Sequence, residues 1–186
     1  MRFLTRFAAP YIERTALLSS VRSLASSVGV QARNPKWTSY GALEIDLFSP
    51  SRADLDVFLS IVAPLAELEF VHDLNVAPPH KPDAELLSEA CSLFNEERYW
   101  ECHEVLEGVW RQKQGGEKRF LQGVILVCAA FVHHQKGEEG VAMGVMKRAL
   151  PLLEYTSPAY GGFRVAELRE NSEKVLEKGR FSSFQV

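Results

Sequence analysis

The chain has 186 residues, 46% of them apolar and 24% charged, which is enough for one globular domain or two small ones and too apolar for a disordered chain. Its 21 Lys and Arg against 24 Asp and Glu give a formal net charge of -3, so no global basic field exists to neutralise phosphates and no nucleic-acid partner is expected. No apolar run approaches the roughly 20 residues that span a bilayer; a soluble, cytoplasmic protein without a membrane partner is expected.

From the N-terminus, Arg2 to Phe7 reads as a strand. A helix of about 17 residues follows, with Ile12, Leu17, Val21, Leu24 and Val28 turned inward. The first 34 residues also carry five arginines, many serines and a single acid, Glu13, the composition of an organelle transit peptide, and this second reading stays open at the level of sequence. Gln31 to Thr38 and Ala42 to Phe48 are extended stretches that meet at Ser39-Tyr40-Gly41. In the second, Leu43, Ile45 and Leu47 alternate with Glu44 and Asp46, the pattern of a strand with one face in water. Ser51 caps a helix through Leu65 with Asp54 in its first turn, and Leu68 to Leu74 forms the last strand. The order β-α-β-β-α-β predicts a ferredoxin-like sandwich over residues 1–75, two helices on one sheet face and the other face free for a partner.

Val76 to Pro82 has three prolines in seven positions and reads as a linker. Beyond it, residues 83–180 read as an all-helical bundle. The expected spans are Asp83 to Phe94, Glu97 to Gln112, Glu117 to Lys136, Glu138 to Tyr155 and Phe163 to Lys178, the last stopped by Gly179. The fold class is thus α+β in two parts. Connections this short make neighbouring helices antiparallel, and the third helix, apolar nearly all round, is expected at the centre. Cys91, Cys102 and Cys128 are odd in number, lack metal spacing and lie among apolar neighbours, as reduced core residues do.

The second helix of this bundle is the most informative stretch. At about 100° per residue, Cys102, Val105, Leu106 and Val109 make a core stripe, while Trp100, His103, Glu104, Glu107, Trp110 and Arg111 fall on the other side. Solubility alone does not call for tryptophan there. On the central helix Gln122 and His133 share one angular stripe, and each would need a hydrogen-bonding partner if buried.

Phe94-Asn95, then Tyr99 to Glu107 with Trp110, then Phe120-Leu121-Gln122-Gly123, then Ala129-Ala130-Phe131-Val132-His133 and Gly137 together resemble the small helical domain-of-unknown-function family 309. The resemblance covers roughly residues 83–176. It implies an all-helical bundle and no activity, since the family has none assigned. His133 takes the place of the family's histidine after Ala-Ala, and Glu138 stands where the family usually has asparagine.

Three readings of the polar set follow. In the simplest, Glu104 and Glu107 pair with Arg111 and bond Gln122, His133 and the tryptophan N–H groups, a buried network that fixes helix register in a module for binding an unknown small molecule or protein, a second copy of the chain included. In the second, Glu104 and Glu107, walled by Trp100 and Trp110, act as acid and base of a small hydrolase-like enzyme, His103 moves the proton and Arg111 holds an anionic group. In the third, His103, Glu107 and His133 ligate a divalent metal. His-Glu-x-x-Glu differs from the zinc-protease pattern by lacking the second histidine.

Overall fold

The computed structural model describes residues 1–8, 12–76 and 80–186. Contacts divide it into two compact units, Met1–Pro79 and His80–Val186. The central part of the proline-rich linker, residues 77–79, lies outside the described residues.

The first unit runs β1 (Arg2–Phe7), α1 (Arg14–Ser27), β2 (Gln31–Trp37), β3 (Leu43–Phe48), α2 (Arg52–Val62) and β4 (Leu68–Asp73). Its sheet order is β2-β3-β1-β4, with every neighbouring pair antiparallel. That is the order and direction the ferredoxin-like expectation requires, in which each helix crosses over one intervening strand. Ser51 caps α2 as expected, its Oγ accepting from the Asp54 N–H at 3.1 Å. Phe3 and Phe7 of β1, with Leu43, Ile45 and Leu47 of β3, form one core with Leu17, Val21 and Ala25 of α1 and Leu55, Phe58 and Val62 of α2.

On the opposite sheet face the reading of Glu44 and Asp46 as solvated side chains is corrected. The carboxylates that alternation assigned to water are instead matched by cations on the neighbouring strands. Glu44 takes Arg6 Nη2 at 3.0 Å and the Lys36 ammonium, and Asp46 takes Arg2 Nη2 at 2.6 Å and Asn34 Nδ2 at 3.0 Å. A register shift between Arg33 and Lys36 makes this possible, with Asn34 at φ +52°. A bulge re-aims the side chains around it.

The second unit is helical: α3 (Asp83–Asn95), α4 (Tyr99–Trp110), α5 (Gly115–Gln135), α6 (Glu139–Ala149), a 3-10 turn Leu150–Leu152, and α7 (Val165–Lys178). α6 stops short of the expected Tyr155 because Pro151 cannot donate to the helix ladder. A two-residue hairpin, β5 (Ala159–Tyr160) and β6 (Phe163–Arg164), stands where the sequence pattern predicts only a loop. Its Gly161 and Gly162 sit at φ +59° and +95°, as a tight primed turn needs, and a Cβ on Gly161 would meet Leu87 at 2.5 Å.

α4 and α5 are antiparallel and in register. Tyr99 stacks on Phe131, Cys102 Sγ lies 3.4 Å from Cys128 Sγ, and Lys118 sits over the Trp110 ring, three contacts that step down one helix as they step up the other. Burial holds the Cys102 thiol well above its ordinary pKa, and the neighbouring Cys128 adds to the shift. All three cysteines are free thiols. Gly123 is required by the 3-10 turn, since a Cβ there would meet the Leu152 carbonyl carbon at 3.1 Å and Leu153 at 2.8 Å.

Candidate functional site

α4 buries Tyr99, Glu101, Cys102, Leu106 and Val109. The face opposite carries His103, Glu104, Glu107 and Arg111. His103 stands between two carboxylates, Nδ1 at 3.4 Å from Glu104 Oε1 and Nε2 at 3.8 Å from Glu107 Oε1. Glu107 Oε2 also takes Arg111 Nη2 at 3.0 Å, one turn on. The side chains of Glu104, Glu107 and Arg111 are 53%, 37% and 70% exposed, and that of His103 only 24%. Helical angle explains the gradation: His103 and Trp110 lie at the edge of the core stripe, and Glu104 and Arg111 lie farthest from it.

This geometry corrects the network expected from the sequence. The α4–α5 register does bring Gln122 to the level of Glu107, but Gln122 faces solvent and cannot serve as a buried partner. His133, in the last turn of α5, bonds Glu138 Oε2 through Nδ1 at 2.5 Å, and His134 bonds Glu139 Oε1 at 2.6 Å. The hydrogen bond from His133 holds the Glu138 carboxyl below its ordinary pKa. Trp110 Nε1 is buried and has no hydrogen-bond partner among the described residues; what meets its ring is the Lys118 ammonium, 4.4 Å from the centroid, a cation over the indole face. His103 Nδ1, although near Glu104, makes no hydrogen bond among the described residues. His103, Glu107 and His133 do not form a ligand set: no three His, Cys, Asp or Glu among the described residues are grouped to hold one ion.

A buried polar cluster does exist in this unit, one turn earlier, at residues that do not stand out in the sequence. α3 ends in a Schellman motif, Arg98 N–H to Leu93 C=O at 2.9 Å and Glu97 N–H to Phe94 C=O at 3.0 Å, which requires a left-handed residue usually supplied by glycine. Here it is Glu97, at φ +57°. Gln135 Nε2 donates to the Glu97 carbonyl at 3.0 Å, in a buried place. Arg98 grips Glu101 through two bonds, Nε to Oε2 at 2.8 Å and Nη2 to Oε1 at 2.7 Å, the forked geometry that makes guanidinium–carboxylate pairs strong. Burial lowers the Arg98 pKa and the bonds and charge of Glu101 and Glu96 more than restore it, leaving it above its ordinary value. The three-residue spacing of Arg98 and Glu101 is the signal that could have found the pair.

Residues 87–145 match the family described as "Domain of unknown function (DUF309)". An uncharacterized protein of Aquifex aeolicus (strain VF5) is 30% identical over 95 residues, which are 50% of this chain and 28% of that protein. The chain thus spans little more than a quarter of that relative's length. The crystal structure of a conserved hypothetical protein from Thermus thermophilus is 34% identical and aligns over 53% of this chain and 99% of its own, with a TM-score of 0.43. No helix among the described residues is long and apolar enough to cross a membrane.

Proposed function

We propose a function from the chemistry of α4 rather than from the family that residues 87–145 match: the helical unit is a binding module whose α4 face takes a cationic segment of a partner. One observation carries the reading. Glu104 and Glu107 are 53% and 37% exposed beside a half-buried indole, and neither is used by the fold's own buried polar cluster. Carboxylates next to an aromatic plane are the groups that recognise Lys and Arg, by charge and by cation–π contact. Lys118 over Trp110 is an internal instance of that contact. An acid–base enzyme would enclose its two carboxylates, whereas these stand in water.

Titration of the labelled protein with a short Lys- and Arg-containing peptide, and with an acidic peptide of equal length, tests the proposal by amide and indole chemical shifts. The expected result is saturable shifts along α4 and at Trp110 with the cationic peptide alone, lost in the Glu104→Gln/Glu107→Gln variant. Shifts confined elsewhere, or equal with both peptides, contradict it.

A further inference from the structure

A second surface of the helical unit is already occupied, and its occupant is a piece of this chain. α7 ends at Gly179, left-handed at φ +63°, and residues 181–186 then run without helix or strand. Their attachment is that of a bound peptide. Phe184 packs on Phe94 and Phe131 with ring centroids 5.6 and 5.5 Å apart. Phe181 packs edge-on against Phe131 at 5.2 Å and stacks on the His134 ring at 4.8 Å. Val186 is 6% exposed, while Ser182, Ser183 and Gln185 between the anchors are exposed. The Asn95 side chain reads the main chain in both directions, Oδ1 accepting from Val186 N–H at 2.9 Å and Nδ2 donating to its carbonyl at 3.3 Å.

We infer that the furrow floored by Phe94, Phe131 and His134 and gated by Asn95 is a docking site for a partner segment of the form Phe-x-x-Phe-x-Val, and that residues 181–186 are its resident competitor. Three points support this partner class. An amide that pairs with both the N–H and the main-chain oxygen of one residue holds the backbone whatever side chain it bears. Two aromatic anchors three residues apart, both meeting the Phe131 ring, set the specificity. The floor residues all lie within the DUF309 match at 87–145, and the strap lies beyond it, so the furrow and its occupant are separate parts of the sequence. Ordering six residues against three apolar anchors and one side-chain amide is close to balanced, which makes the strap displaceable. Tethering favours the resident over a free peptide by effective concentration.

The test uses the 186-residue chain and a fluorescent synthetic peptide of sequence Arg-Phe-Ser-Ser-Phe-Gln-Val. The Phe181→Ser/Phe184→Ser variant, which releases the strap, is expected to bind the peptide at least tenfold more tightly than the wild type. A scrambled peptide should not bind, and adding Asn95→Ala should abolish binding. Failure of the released variant to bind, or binding equal to that of the wild type, overturns the proposal. Formation of a stable dimer by strap exchange, with no binding of free peptide, overturns it in favour of a second copy as occupant. Should the variant fail to fold, hydrogen exchange on the wild type decides. The Val186 amide is expected to exchange at least a hundredfold faster than the Val124 amide in α5, through local opening; exchange of both at one rate would make the strap part of the cooperative core and overturn the proposal.

Discussion

Two stretches of the same helical hairpin, one turn apart, carry almost the same residue types and put them to opposite use. At the start of α4, Arg98 and Glu101 form a forked pair with the Glu101 side chain 6% exposed, and Gln135 closes on the Glu97 carbonyl. In the middle of the helix, His103, Glu104, Glu107 and Arg111 are spread over a face that water reaches. The charged and amide groups of the first site are bonded to one another or to backbone. At the second the charges outnumber the bonds, and Trp110 Nε1 has no acceptor among the described residues. The difference separates architecture from surface chemistry: polar groups are held where desolvation punishes a missing partner, and left open where nothing in the fold needs them.

That contrast breaks most visibly at Glu101. Glu101→Gln removes the forked partner of the Arg98 guanidinium, which is 23% exposed and keeps Glu96 at 3.1 Å, and should cost about 2 to 3 kcal/mol, at the low end for a buried pair because Arg98 retains that second carboxylate and some solvent. Urea denaturation of the wild type and variant measures it. Next is Gln135→Leu, which keeps the volume and strands the Glu97 carbonyl; a loss of about 1 to 2 kcal/mol by the same measurement is expected. Smaller again are Glu104→Gln and Glu107→Gln, each within about 0.5 kcal/mol, the usual worth of exposed charges.

The smallest effect is a titration. The His133 bond holds Glu138 below its ordinary pKa, so the pair contributes above the unfolded carboxylate's pKa and fades as pH falls through the depressed folded value. A carbon-detected NMR titration should place the Glu138 midpoint below the normal glutamate range, and His133→Asn should return it upward. An unshifted midpoint in the wild type would remove the pair.

Much of the fold is legible in the sequence because burial writes a period into it. Alternation over Leu43 to Phe48 and the Ser51 cap locate β3 and α2, and the order of elements implies the observed sheet. Misplaced features have physical causes. Glu44 and Asp46 look like a wet face because alternation reports polarity, not whether Arg6, Lys36 and Arg2 stand across the strand to neutralise it. Glu107 and Gln122 draw attention as a polar cluster because both stand out within their motifs, yet angular position leaves Gln122 in solvent. Glu97 gives no sign of being left-handed, since a Schellman turn announces itself by glycine. By contrast Gly161-Gly162 does carry a hairpin signal, hidden by strands only two residues long.

If the exposed face of α4 serves binding and not stability, its carboxylates can be removed without cost to the fold. The direct measurement takes one variant, Glu104→Gln/Glu107→Gln, through two readings on the same sample: urea denaturation and titration with the cationic peptide. Stability unchanged to within about 0.5 kcal/mol, together with loss of the peptide-induced shifts at α4, is the expected outcome. Destabilisation by more than about 1 kcal/mol with peptide binding intact would make these carboxylates part of the scaffold and contradict a binding role for the face.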